Sequence, residues 1–321
     1  MFIINVCARM SDNYHKPLEM EMCMLDWNTP KLSDKEWIEK CVKEAQYIGS
    51  DAAFANIYLL RSKYNIKVTY YKDLLIRYYE GLGNRKGYTF PLGRKDVLSA
   101  LYAIEQDAKE MNRPLEFCFV TEEQKEILEN TFAGRTESSS DAGDYDYIYG
   151  QPELSLLSGR TYHKKKNHVS KFKRTYEDYM FCEIGNGNLD DVMLIEDEWY
   201  YDRLQQDDTS AMKEYEAIRE AVDNFEELSL SGGIIYANNV PVAMTIASYI
   251  NDAAVDIHFE KAVGEYAVNG GFAAINQMYA STLKDVKFIN REEDINIPGL
   301  RKAKESYHPK FMLKKYGVRV K

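Results

Sequence analysis

Cysteine is scarce in this sequence and poorly placed for any framework. The five residues, Cys7, Cys23, Cys41, Cys118 and Cys182, are odd in number and scattered, with no Cys-x-x-Cys pair. That argues against a disulfide-stapled fold or a cysteine metal site, and a reducing cytoplasm is the expected location. Long apolar runs are missing as well. Nothing approaches the ~18 apolar residues of a membrane helix. The opening MFIINVCARMSDN has neither a long apolar region nor a small-residue cleavage site, so no signal peptide is expected. Net positive charge is also lacking. A formal charge of -10 argues against general coating of nucleic acid, and DNA is not an expected partner.

What is present is a globular chain. Its 321 residues, 45% of them hydrophobic, suffice to bury the cores of two domains. Helices and strands alternate. Ser33-Asp34-Lys35-Glu36 and Thr121-Glu122-Glu123-Gln124 read as capping boxes. IKVTYYKD, LLIRYYEG, GYTFPLG and LEFCFV read as strands, GRTESSSDAGD as an exposed loop, and YDYIYG as a strand. In the second half an acidic helix is expected from about Ser210 to Glu227. The strands GGIIYA, PVAMTIASYI and AAVDIHFEKA follow, turning at Asn238-Asn239 and Asn251-Asp252. LEFCFVTEEQKEILENTF…YDYIYG and VKFINREEDINIPGLRKAKES…KFMLKKYG share one order: strand, acidic turn, short helix, aromatic strand. The expectation is two α/β domains of similar topology, each an α+β mixed sheet, spanning 25–155 and 156–321 behind an extension of residues 1–24.

Charge is segregated. SGRTYHKKKNHVSKFKRTY carries seven Lys or Arg and no carboxylate, and residues 299–321 carry eight against one Glu. Residues 187–228 hold fourteen acidic and three basic residues. With a helix from about Thr161 to Tyr179, Lys165 projects into an apolar stripe made by Tyr162, Val169, Phe172, Tyr176 and Tyr179. Two readings stand for this segment. The bases are solvated, with Lys165 snorkelling, or they face an anion such as a phosphate path. In AAVDIHFEKA, strict alternation puts Asp256, His258 and Glu260 on one face, where an imidazole between carboxylates can take a proton from an attacking amine or hydroxyl. An ordinary solvent-facing strand is the alternative.

SGRTYHKKKNHVSKFKRTY and NREEDINIPGLRKAKESYHP together resemble the family named for the C-terminal domain of phosphatidylglycerol lysyltransferase, from about Leu25 onward. The resemblance implies two tandem acyl-CoA N-acyltransferase (GNAT)-like domains. Its best-known members transfer an aminoacyl group from aminoacyl-tRNA to a lipid headgroup. An acyltransferase is therefore expected, with aminoacyl-tRNA or another phosphate-bearing molecule as partner. Arg160, Lys164, Lys165, Asn290, Glu292, Arg301, Lys302 and Lys304 would hold the substrate, and His258, Asp256 and Glu260 would do the chemistry. No metal site and no certain cofactor are expected. Acyl-CoA is the weaker donor, because VGEYAVNGGFAAIN lacks the pyrophosphate motif, although Asn269-Gly270-Gly271 offers backbone N–H groups at a helix start. A non-catalytic module binding tRNA or a phosphoryl ligand, and a CoA-dependent small-molecule acetyltransferase, remain as alternatives.

Overall fold

The computed structural model describes residues 25–204 and 211–321. The extension 1–24, with Cys7 and Cys23, and the expected helix start at Ser210 lie outside the described residues. The first half supplies α1 (Lys35–Glu44), α2 (Phe54–Leu59), β1 (Lys67–Tyr71), β2 (Leu74–Glu80), β3 (Lys86–Thr89), α3 (Leu98–Glu110), β4 (Leu115–Val120), α4 (Glu122–Thr131), β5 (Thr136–Ser140) and β6 (Asp146–Gly150). The second supplies α5 (Gln151–Leu156), α6 (His163–Thr175), β7 (Met180–Glu183), α7 (Leu189–Leu204), α8 (Ala211–Asp223), β8 (Ser231–Ala237), β9 (Val240–Asn251) and β10 (Ala254–Ala262). Then come α9 (Gly264–Val268), α10 (Gly271–Thr282), β11 (Phe288–Asn290), α11 (Pro298–Glu305), β12 (Phe311–Leu313) and β13 (Tyr316–Val320).

The strands form two mixed sheets, ordered β1-β2-β3-β4-β13-β5 and β12-β6-β11-β10-β9-β8-β7. Apart from the extra β7, both repeat one sequence of pairings: antiparallel, antiparallel, parallel, antiparallel, antiparallel. The strand beside each parallel pair comes from the other half of the chain. β6 precedes residue 155 yet lies between β11 and β12, whereas β13 crosses back to sit between β4 and β5. The halves are thus laced together by a reciprocal exchange.

An apolar cluster joins the two sheets. It contains Ile38, Phe54 and Ile57 of α1 and α2, Ile195 and Ile218 of α7 and α8, Val68 and Leu75 of the first sheet, and Ile234, Met244 and Ile246 of the second. The outer face of the first sheet packs on Leu101 and Ile104 of α3 and Leu128 of α4. That of the second packs on α10 through Ile275, Met278 and Tyr279.

Local signals fare unequally. Thr121 and Gln124 exchange side-chain and backbone bonds at 3.0 and 3.3 Å, a complete capping box. The first expected box is displaced. Asp34 accepts from the Lys31 N–H at 2.8 Å, so a short 3₁₀ turn over Leu32–Asp34 leads into α1. TESSS is not a loop but the exposed edge strand β5, because it pairs with β13 along its whole length. The expected acidic helix is α8, and a second helix, α7, precedes it in the acidic segment.

Candidate functional site

The site lies where the second sheet parts. β10 and β11 pair only over Ala254–Asp256 and Phe288–Asn290. Beyond this, β10 continues against β9 to Ala262, while the chain leaving β11 stays with β6 through Arg291 N–H to Tyr147 O at 3.1 Å and Tyr147 N–H to Glu292 O at 3.1 Å. A wedge opens between them, with side chains on both of its faces.

A β-bulge decides which residues face which way. Ile257 pairs with Ala247 and Phe259 with Ile246, so His258 is the extra residue. The alternation flips there. Asp256 and His258 face the layer between the sheets. Glu260 faces α10, accepting from Asn276 Nδ2 at 3.0 Å and pairing with Arg291 at 2.8 Å. Strict alternation had grouped all three; the bulge separates Glu260 from the other two.

On the inner face, His258 Nε2 lies 2.8 Å from Ser248 Oγ. Its Nδ1 lies 3.4 Å from Asp256 Oδ2 and 3.8 Å from Glu292 Oε1. Asn56 of α2 reaches across from the first half, its Nδ2 donating to Asp256 Oδ2 and Glu292 Oε1, both at 2.9 Å. The His258 and Asp256 side chains are 1% and 0% exposed, whereas 27% of the Glu292 side chain is accessible, so Glu292 is the solvent-facing member of the group. Burial, then the neighbouring Glu292 and Asp146, hold the Asp256 carboxyl well above the usual carboxylate range. Three potential ligand atoms here, one each from Asp256, His258 and Glu292, lie within 4.8 Å of one another.

Asn290 is fully buried and works as a positioning residue. Its Nδ2 donates to Ile48 O at 3.0 Å and Asp146 Oδ2 at 2.8 Å, and its Oδ1 accepts from the Glu292 N–H at 2.8 Å. The resulting turn puts Glu292 at φ +53°, a left-handed conformation unusual for Glu and maintained by its surroundings.

On the outer face, Lys165 Nζ sits 3.7 Å from the centroid of the Tyr307 ring. Burial, then the nearby Arg291, bring its ammonium down to about 8, with Glu260 partly opposing. Tyr162 and His308 meet edge to face at 5.7 Å, so the start of α6 and the end of α11 adjoin. The other expected cations divide. Arg160, Lys164 and Lys302 are exposed. Arg301 turns inward, donating to both Asp294 oxygens at 2.8 and 2.9 Å. Lys304 is buried and donates to the carbonyls of Arg291 and Glu293, both at 2.5 Å. These two hold the loop that carries Glu292, where an anion-facing role had been expected for them.

The start of α10 is packed against α6. Gly270 has φ +102°, and a Cβ there would collide with the His168 carbonyl, so α10 begins against the α6 backbone. Asn269 donates to the Tyr176 hydroxyl at 2.8 Å.

Sequence reading missed Asn56, Ser248, Arg291 and Tyr307. Arg291 and Tyr307 fall within the quoted motif NREEDINIPGLRKAKESYHP. Asn56 carries no local signal, because it is brought in only by the packing of α2.

The family described as "Phosphatidylglycerol lysyltransferase, C-terminal" matches residues 43–319. No curated protein matches the chain. Among solved structures, a conserved protein of unknown function from Bacteroides thetaiotaomicron VPI-5482 is 30% identical, covering 93% of this chain and 100% of its own, at a TM-score of 0.87. L-PGS from Bacillus licheniformis is 14% identical over 89% of this chain and 92% of its own, at 0.62. FemX is 8% identical over 92% and 98%, at 0.58. The two mixed sheets with one pairing order are the tandem GNAT-like arrangement of this group. Among the described residues, no helix is long and apolar enough to cross a membrane.

Proposed function

The chain belongs to the phosphatidylglycerol lysyltransferase C-terminal family, and from that premise we infer that it transfers an aminoacyl group from a phosphate-bearing donor, of the aminoacyl-tRNA class, to an amine or hydroxyl. The observation that carries this reading is Lys165. Its partly desolvated ammonium stacks on Tyr307 beside the wedge, and no carboxylate among the described residues pairs with it within 4 Å. An unpaired cation held in that state is stabilised when an anion arrives. Arg160, Lys164 and Lys302 are exposed, on the two segments that meet at Tyr162 and His308.

In this reading the acceptor attacks the ester carbonyl within the wedge. The new C–N or C–O bond forms as the ester C–O bond breaks. Glu292 takes the proton lost by the acceptor and returns it to the departing ribose oxygen, so protons balance and no covalent enzyme intermediate arises. Lys165 stabilises the developing negative charge. Asn56 bonds the Glu292 carboxylate and Asn290 holds its backbone, and Glu260 orients Arg291.

Two results are expected. Glu292→Gln should lower single-turnover transfer from aminoacyl-tRNA by about 100-fold with donor affinity within twofold of wild type. Retained binding with no turnover even in the wild type would favour a non-catalytic binding module. The second concerns pH. Donor affinity, measured by filter binding, should fall as pH rises through about 8, because the Lys165 ammonium discharges there. Lys165→Met should remove that step. The stability of the ligand-free protein should run the opposite way. The Lys165 pKa is lower folded than unfolded, so the unfolded chain binds more protons between about 8 and about 10. Wild-type stability therefore rises across that window, and Lys165→Met should flatten the rise in thermal melts.

A further inference from the structure

The buried charges around Asp256 balance everywhere but at one point. Asp51 and Asp146 share Lys315, and Arg77 also pairs with Asp51. Glu293 and Asp144 share Arg85, Asp294 has Arg301, and Glu260 has Arg291. Asp256 and Glu292 have no Lys or Arg within pairing distance among the described residues; their only pairing is with His258. Two polar atoms in this group, Asp256 Oδ1 and His258 Nδ1, are buried and lack any hydrogen-bond partner. A buried imidazole nitrogen facing two carboxylates across 3.4 and 3.8 Å calls for a cation between them.

We propose that Asp256, His258 and Glu292 bind a divalent cation of the zinc class, with Asn56 closing the site. The spacing suits such an ion. Ligands about 2.1 Å from a tetrahedral Zn²⁺ lie roughly 3.4 Å apart, close to the separations from His258 Nδ1. The donor set, one imidazole and two carboxylates, suits a borderline divalent ion. Ser248 completes the arrangement. Its hydroxyl accepts from Nε2–H in the tautomer that leaves the Nδ1 lone pair for the metal. The Asn56 amide Nδ2 donates to both carboxylates and to the Ser50 carbonyl at 3.0 Å, so it closes the site as a donor to the ligand oxygens, and the fourth coordination position is left to water or substrate. Asn56 comes from the first half and the ligands from the second, so the ion would clamp α2 to the parting strands. Glu292 would bind through Oε1 and keep Oε2 for the proton. The site is independent of the acyl-transfer reading and is tested by metal uptake alone.

The full chain, stripped with chelator and passed into metal-free buffer, is titrated with Co²⁺ while visible absorption and calorimetric heat are followed. One equivalent should bind with the absorption of a tetrahedral N/O site, and Zn²⁺ should displace it. Ser248→Ala should weaken binding about 10- to 100-fold, and Asp256→Asn should weaken it further. Because a buried substitution can unfold the chain, Glu292→Gln at the accessible edge is the second variant. It should melt near wild type and lose the absorption. Uptake unchanged in Glu292→Gln, or no stoichiometric uptake by wild type, would overturn the proposal and leave protons, not a metal, to neutralise the group.

Discussion

Lys315→Met is expected to destabilise the protein by about 3–5 kcal/mol, the range for removing one partner from a buried ion pair. Lys315 is 3% exposed and lies in the short link between β12 and β13. Its Nζ donates to Asp146 Oδ1 at 2.6 Å and Ser50 Oγ at 3.2 Å, and it pairs with Asp51 Oδ1 at 3.0 Å. Asp51 would keep Arg77, but Asp146 would be left a fully buried carboxylate with only Ser50 and Asn290 as donors. Burial pushes the Asp146 carboxyl up and Lys315 opposes that push, so without Lys315 it rises further. The sign of the pH dependence follows. An Asp146 pKa above the unfolded value penalises folding above that pKa and is relieved as pH falls through it. The deficit relative to wild type, measured by urea unfolding, should therefore be larger at pH 8 than at pH 5. Adding Asp146→Asn to Lys315→Met should recover part of the loss. A Lys315→Met midpoint equal to wild type at pH 8 would show that the pair is not a clamp.

Removing residues 316–321 should have a still larger effect, abolishing the cooperative fold. β13 is an inner strand of the first sheet, paired along its length with β4 on one side and β5 on the other. Val318 and Val320 are 1% and 6% exposed, each worth roughly 1.5–3 kcal/mol of burial. Their loss compounds with two rows of backbone groups left unpaired. Together these are comparable with the ~5–15 kcal/mol that keeps a typical domain folded. Far-UV circular dichroism and soluble yield of the shortened chain would report it. A synthetic peptide of residues 313–321 should restore some soluble protein by strand addition. A shortened chain that still melts cooperatively near the full-length temperature would contradict this account.

The sequence carried the elements well where the signal was local. The turns Asn238-Asn239, left-handed at φ +52° and +63°, and Asn251-Asp252 mark the β8–β9–β10 meander because turn-forming residues interrupt apolar runs. The repeated order of the halves was also visible. Partner choice was not. YDYIYG and the final KKYGVRV look equally like closing strands, and an apolar pattern states which face is buried, not which neighbour is paired. β5 escaped because TESSS has no apolar face. The bulge at His258 escaped because alternation is blind to one unpaired residue, and it moved Glu260 to the other layer. Arg301 and Lys304 read as a basic cluster, yet Asp294 and two carbonyls use them internally. Composition cannot tell a cation facing solvent from one holding a loop.

The reciprocal strand exchange also orders events in time. β5 emerges during synthesis long before β13, its one partner among the described residues, so the first sheet cannot close while the second half is still being made. Contacts so distant in sequence make closure slow. Until it happens β4 and β5 carry bare edges on the sides that β13 will fill, a hazard that grows with chain concentration. The two sheets therefore mature together, as one kinetic unit, rather than one after the other.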